Sequence, residues 1–98
     1  MKLVEELGLP ELTTEQTERL CSTAETAARE HILSRVSSKM IERLDISVEA
    51  DGAKPVNVTV EIDVALSQQM KDSELKKLVS EAIEQALKAS ENYLRKLL

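Results

Sequence analysis

The sequence has few aromatic residues, cysteines and glycines. Its 98 residues include one aromatic side chain, Tyr93, one cysteine, Cys21, and two glycines. Without Phe or Trp, the core has to be built from Leu, Val, Ile and Ala, which offer less contact area per residue. A lone cysteine excludes an internal disulfide and fits a reducing compartment. Two isolated glycines exclude a glycine-rich loop of the kind that binds phosphate.

Charge and length narrow the class of protein further. Acidic residues outnumber basic ones by 18 to 13, which leaves a net charge of −5 and argues against a broad nucleic-acid-binding surface. The absence of Phe and Trp also removes a platform on which bases could stack. The length predicts one domain over residues 1–98. No apolar run has the length of a signal peptide core or a membrane span, so we expect a cytoplasmic protein that does not enter a membrane.

The clearest regular element is the run VNVTVEIDVAL at positions 56–66. Every even-numbered position in it is aliphatic and most odd-numbered positions are polar, which is the pattern of a strand with one buried face. A strand buried on both faces would be apolar throughout. Residues 43–50 alternate in the same way, and Asp51-Gly52 begins a turn between the two runs. We therefore predict an antiparallel hairpin over 43–66, with Ala50 opposite Val56.

Two amphipathic helices flank this hairpin. The first is predicted over 13–36, because Thr13 and Gln16 can form a capping box and aliphatic residues then recur every three or four positions. The second is predicted over 73–97, with a cap at Asp72 or Ser73. The predicted fold class is α+β in the order α-β-β-α, with both helices on one face of the hairpin.

Residues 1–12 precede these elements and are interrupted by Gly8 and Pro10. We interpret them as an N-terminal arm that lies on the body of the protein or on a partner, and a frayed terminus is the alternative.

A two-stranded hairpin is marginally stable in water, and the strand 56–66 has no Pro, Gly or inward charge to block its outer edge. We therefore expect that edge to pair with a second chain, which would complete a four-stranded sheet in a dimer. The partner would be a second copy or a related small subunit. The residues expected at this interface lie on the strand and the last helix: Val56, Val58, Val60, Ile62, Val64, Leu66, Tyr93, Leu94 and Leu97.

No group of residues in the sequence predicts catalysis. The polar face of the hairpin collects four carboxylates, Asp45, Glu49, Glu61 and Asp63, which we interpret as a solvated acidic surface. His31 lies about three helical turns from Cys21, too far to share a proton with it. We therefore expect no enzyme activity, no cofactor, no metal site and no small-molecule substrate.

Basic residues cluster in two places. Three lysines, Lys71, Lys76 and Lys77, surround the start of the second helix, where cations are mildly unfavourable and an anion could bind. Surface lysines without a ligand are the alternative interpretation. Around the end of the first helix lie four residues that could contact RNA: Arg29, Arg35, Lys39 and Arg43.

Four segments together resemble a small archaeal family of unknown function. They are LPELT at 9–13, LDISVE at 44–49, the alternating strand 56–66 and the closing ENYL at 91–94. That family resembles in turn the Pcc-type dimerisation subunit of KEOPS, the assembly that makes the threonylcarbamoyl modification of tRNA. The resemblance implies a non-catalytic subunit that dimerises and scaffolds a catalytic one, but it carries over no binding residue.

The resulting hypothesis is a cytoplasmic, dimerising accessory subunit, with KEOPS as the assembly that the resemblance implies. One alternative is a small RNA-binding module that uses the basic cluster from Arg29 to Arg43, although the chain lacks the GXXG loop of KH domains. A partner of prefoldin or another chaperone is the third hypothesis.

Overall fold

The computed structural model describes the backbone of residues 2–6 and, in full, residues 12–51, 57–67 and 70–97. A short strand, β1 (Lys2–Glu6), comes first and is followed by helix α1 (Thr14–Arg35). A single 3-10 turn (Ser38–Met40) leads into β2 (Ile41–Asp51), and β3 (Asn57–Leu66) and α2 (Asp72–Lys96) complete the chain. The α+β class and the helix–strand–strand–helix order are confirmed, and β1 is an additional strand in front of them.

Helix α1 begins with the predicted capping box. The Thr13 hydroxyl accepts from the Gln16 N–H at 3.1 Å, and the Gln16 side chain accepts from the Thr13 N–H at 2.9 Å. Two amide groups that the helix cannot satisfy internally are thereby paired. Helix α2 has no such cap: Lys71 occupies the N-cap position and makes no side-chain hydrogen bond. The predicted cap at Asp72 or Ser73 is wrong, because both residues already lie inside the first turn.

The two helices pack closely against each other because small residues face the contact. Ala24 and Ala28 of α1 and Ala82 and Ala86 of α2 are all fully buried. Ser90 is also fully buried, and its hydroxyl donates to the Ala86 carbonyl at 2.9 Å, so it carries no unsatisfied polar group.

The sheet has three antiparallel strands in the order β1-β3-β2, which makes β3 the central strand. Residues Lys2–Glu6 pair with Glu61–Asn57, from Lys2 opposite Glu61 to Glu6 opposite Asn57. The prediction that the β3 edge stands open for a second chain is therefore wrong along Asn57–Glu61, because the chain's own N-terminus pairs there. Residues 7–11, with the predicted break at Gly8 and Pro10, lie outside the described residues.

The register between β2 and β3 differs by two residues from the predicted one. Ala50 lies opposite Val58 and Ile46 lies opposite Ile62, with a bulge at Glu42, between the pairs of Ile41 and Arg43. A shift of two leaves the even-numbered side chains on the covered face, since side chains alternate with period two. The loop 52–56 that would have set the register from local sequence lies outside the described residues.

Both helices cover the same face of the sheet, α1 over β2 and α2 over β3. The core between the two layers is aliphatic, with Leu20 and Ile32 from α1 and Val60 and Ile62 from β3 among its largest fully buried side chains. The opposite face of the sheet has no covering layer among the described residues.

Candidate interaction site along the β2 edge

Strand β2 is an outer strand of the sheet, and its far edge has no partner strand within the described part of the chain. Its eleven residues make it more than twice as long as the five-residue β1 on the other side. Such an edge presents backbone N–H and C=O groups that another strand can bind.

The usual devices that block an edge are largely missing from β2. The strand contains neither Gly nor Pro, and its covered face carries only aliphatic side chains from Leu44 to Ala50. The bulge at Glu42 disturbs only the beginning of the strand. Its charged residues, Arg43, Asp45 and Glu49, lie on the open face and leave the backbone of the edge accessible. Residues 43–49, hereafter the edge segment, are therefore a regular stretch onto which a strand can add.

Burial decreases across the covered face toward this edge. Val60 and Ile62 of the central strand are at most 1% exposed, whereas their cross-strand neighbours Val48 and Ile46 are only half-buried. Leu44 is half-buried as well. The helices therefore leave a strip of aliphatic surface along the edge segment that a further layer could cover.

The open face of the sheet is acidic, as the sequence indicates, but its cross-strand pairs differ from those of the predicted register. Asp45 lies directly opposite Asp63, and Glu61 lies opposite Ser47, whereas the predicted register, with Ala50 opposite Val56, would have placed Asp45 opposite Glu61. All four of the predicted acidic-face carboxylates are exposed. Within the described residues, no three His, Cys, Asp or Glu side chains are arranged so that they could hold a metal ion.

The four residues predicted to contact RNA are all exposed, but two of them already pair with carboxylates. Arg29 contacts Glu25 at 2.8 Å and Arg43 contacts Asp45 at 3.4 Å. The predicted register would also have placed Arg43 opposite Asp63, which is wrong, because Arg43 lies opposite Ala65. As far as the described residues go, Arg35 and Lys39 form no ion pair. The cluster thus contributes less free positive charge than its composition indicates.

The nine residues predicted to form a subunit interface differ in their burial. Four are buried in the chain's own core: Val58, Val60, Ile62 and Leu94. Three are half-buried: Val64, Leu66 and Tyr93. Leu97 is 38% exposed, and Val56 lies outside the described residues. The four core residues offer no surface to a second chain, because they are already buried within this one.

His31 lies between the helices, with its Nε2 atom 3.9 Å from a carboxylate oxygen of Glu81 on α2. The Nε2 atom is buried and has no hydrogen-bond partner among the described residues. A neighbouring cleft of about 210 Å³ is lined by Arg35, Glu74, Lys77 and Glu81 together with apolar residues. This cleft has two basic and two acidic side chains, so its charge favours neither an anion nor a cation.

Cys21 lies near the far end of the β2 edge. Burial raises the pKa of its thiol, and the nearby carboxylates of Glu49 and Glu25 act in the same direction, while the Ala50 backbone N–H opposes them. The contact with the Ala50 backbone places this α1 side chain beside the end of β2.

We expect Cys21 to be alkylated by iodoacetamide more slowly in the folded protein than in urea at pH 8, because a raised pKa leaves less thiolate at that pH. The midpoint of the pH–rate profile should lie higher in the folded state. Glu49→Gln should lower that midpoint, since it removes a repelling carboxylate, whereas Glu84→Gln on α2 should not. Equal midpoints for folded and unfolded protein would contradict the burial of the thiol.

Sequence reasoning placed the open edge on the wrong strand, although a signal was present. The polar positions of β2 are mostly charged, whereas those of β3 include Asn57 and Thr59 and an Ala65. Charged residues concentrate on edge strands, so this difference favours β2 as the outer strand.

Comparison with known proteins agrees with the fold. The family described as "Protein of unknown function (DUF3194)" matches residues 9–93. The chain belongs to this family. An uncharacterised protein of Pyrococcus furiosus is 25% identical to it over 97 residues, which cover 99% of this chain and 86% of the relative.

Two solved structures resemble this DUF3194 chain and support its fold alone. A crystal structure from Thermococcus onnurineus NA1 matches with a TM-score of 0.78 at 22% identity, covering 99% of this chain and 93% of the other. The solution structure of a hypothetical protein from Methanothermobacter thermautotrophicus matches with a TM-score of 0.72 at 24% identity, covering 90% and 94%. Among the described residues, neither helix of this chain has an apolar stretch that could cross a bilayer.

Proposed function

We propose that this protein is a non-catalytic accessory subunit that binds another protein chain along the edge segment of β2. One observation carries the proposal: a long, regular edge strand without blocking residues, with half-buried aliphatic side chains along its covered face. Strand addition to such an edge combines backbone hydrogen bonds with side-chain contacts on alternate positions. The same edge in a protein that works alone would be a liability for aggregation.

The assembly that we propose to test first is KEOPS. The reason is the resemblance of the family to the Pcc-type dimerisation subunit, which is itself a non-catalytic scaffold. The open β2 edge supports a scaffold role in general, and the choice of assembly rests on the resemblance alone.

The test is affinity capture from a native archaeal lysate, with three baits: the unaltered chain, Glu49→Arg and Glu61→Arg. Both substitutions reverse an exposed carboxylate on the open face, but Glu49 lies on the outer strand and Glu61 on the central one. We expect KEOPS subunits to be captured by the unaltered chain and by Glu61→Arg, and capture by Glu49→Arg to fall about tenfold. Nuclease treatment should change neither result.

Other outcomes would contradict the proposal. Salt-dependent binding of tRNA by the purified chain, without any protein capture, would favour the RNA-binding alternative. Recovery of prefoldin subunits in place of KEOPS would favour the chaperone alternative. Hydrolytic activity with Mg²⁺ that is lost in Asp45→Asn would show that the protein is an enzyme.

A further inference from the structure

The aliphatic and charged residues of the edge segment are arranged almost symmetrically about its central residue. Strand β2 runs from Ile41 to Asp51, so Ile46 is its midpoint. If the edge segments of two copies pair antiparallel with full overlap, residue numbers that face each other sum to 92. Ile46 then faces its own counterpart, and Leu44 faces Val48 of the partner subunit. Two-fold symmetry is the commonest arrangement of soluble homo-oligomers.

Side-chain alternation restricts the possible registers. Residues directly opposite each other in an antiparallel pair lie on the same face. A register with an odd sum would place the half-buried Ile46 opposite a charged residue such as Asp45 of the partner subunit. Only even sums keep the aliphatic side chains together on the helix-covered face.

Charge then distinguishes among the even registers. At a sum of 92, Arg43 lies opposite Glu49 of the partner subunit, twice by symmetry, and Asp45 lies opposite a serine. At a sum of 90, Asp45 faces its own counterpart. At a sum of 94, Asp45 faces Glu49 of the partner subunit, twice. Among these three registers, which give the longest overlap of the two strands, the sum of 92 is the one with two opposite-charge pairs and no like-charge pair directly opposite.

The surroundings of Glu49 fit this pairing. Glu49 forms no ion pair within the described part of the chain, and its side chain is exposed. Among the residues that the structure describes, Arg43 forms an ion pair with Asp45 alone, at 3.4 Å with both side chains well exposed. An arginine from the second copy would supply the positive charge that Glu49 lacks among the described residues of its own chain.

We propose that the occupant of the β2 edge is a second copy of this chain, paired antiparallel about a two-fold axis at Ile46 into a continuous six-stranded sheet. This inference rests on the proposed function, since it names the partner at the same edge. Pairing covers the edge segment and ends before Ala50, beside which Cys21 lies. The half-buried Leu44, Ile46 and Val48 of both copies meet on the covered face, under the two α1 helices.

The test is a charge exchange measured by sedimentation equilibrium at low salt. Arg43→Glu and Glu49→Arg each create two like-charge pairs in a homodimer, so each should raise the dimer dissociation constant by roughly tenfold or more. The double variant Arg43→Glu/Glu49→Arg restores two opposite-charge pairs and should recover the original constant. Mixing the two single variants should also restore dimers, as heterodimers with both pairs attractive.

Glu61→Arg is the matched control and should leave the dissociation constant unchanged, because Glu61 lies on the central strand. Circular dichroism should show every variant folded, since all three positions are exposed. A chain that stays monomeric at millimolar concentration would overturn the inference. If neither the double variant nor the mixture regains the original dissociation constant, the register and the two-fold pairing are both wrong.

The two proposals fail separately. If the chain is monomeric but still captures KEOPS subunits in a manner sensitive to Glu49→Arg, the second copy is wrong and the accessory function stands. If it dimerises with the expected charge dependence but captures no assembly, the inference stands and the proposed assembly is wrong.

Discussion

Replacing Ile62 with alanine is expected to lower the free energy of unfolding by about 3 kcal/mol, within the range for emptying a well-packed aliphatic site. Ile62 lies on the central strand, is 1% exposed and belongs to the aliphatic core between the sheet and the helices. The neighbouring core residues are aliphatic and cannot collapse fully into the space that three lost carbon atoms leave. The measurement is urea denaturation followed by circular dichroism at several protein concentrations.

Ile46→Ala is the matched control, since it makes the same chemical change directly across the sheet on the half-buried outer strand. We expect a smaller loss, about 1 kcal/mol, in the isolated chain, because less of this side chain leaves water on folding. Ile46→Ala should also weaken self-association, whereas Ile62→Ala should not change the dissociation constant of the folded protein. Equal unfolding costs for the two variants would contradict the difference in burial between the strands.

The elements that local sequence determines were predictable. The alternation over 56–66 and the capping box at Thr13 and Gln16 each specify a structure within one segment, and the structure has both. Because the alternation also fixes which face is buried, it predicted a sheet covered on one side by two helices. The α+β class follows from these features without any long-range information.

What could not be predicted depends on contacts between distant segments. Strand β1 has only five residues, without regular alternation, and its partner lies more than fifty positions away along the chain. Its pairing with β3 is therefore invisible to any pattern within residues 1–12. The two-residue register difference has the same origin, because period-two patterns fit every even shift equally well.

The location of the candidate site could not be predicted because the pairing of β1 could not be predicted. The sequence indicated that some edge of the hairpin is open, but the identity of that edge depends on where the N-terminus pairs. Once β1 pairs with one edge of β3, the open strand is β2. Four of the residues that were expected at an interface, Val58, Val60, Ile62 and Leu94, are core residues. The opposite charges of Arg43 and Glu49 can be interpreted as a contact between two chains only once β2 is known to be the outer strand.

If the chain forms the two-fold dimer proposed above, deleting residues 1–6 is expected to convert that dimer into an assembly that grows without limit. The deletion removes β1 and exposes the edge of β3 along Asn57–Glu61, so that each chain then has two open edges. Because β3 and β2 can pair head to tail between chains, association no longer closes after two copies. The free energy of unfolding should also fall by about 2–4 kcal/mol, at roughly 1 kcal/mol net for each backbone hydrogen bond lost.

Light scattering should show polydisperse growth with concentration for the truncated chain and a monomer–dimer equilibrium for the full one. A synthetic peptide with the sequence of residues 1–7, added in excess, should return the truncated chain to the dimer, and a scrambled peptide should not. Combining the deletion with Glu49→Arg should also limit growth, since it weakens the remaining β2 edge. If the truncated chain shows the same size distribution as the full one, the prediction is wrong. The edge of β3 would then not need β1 to prevent association with further chains.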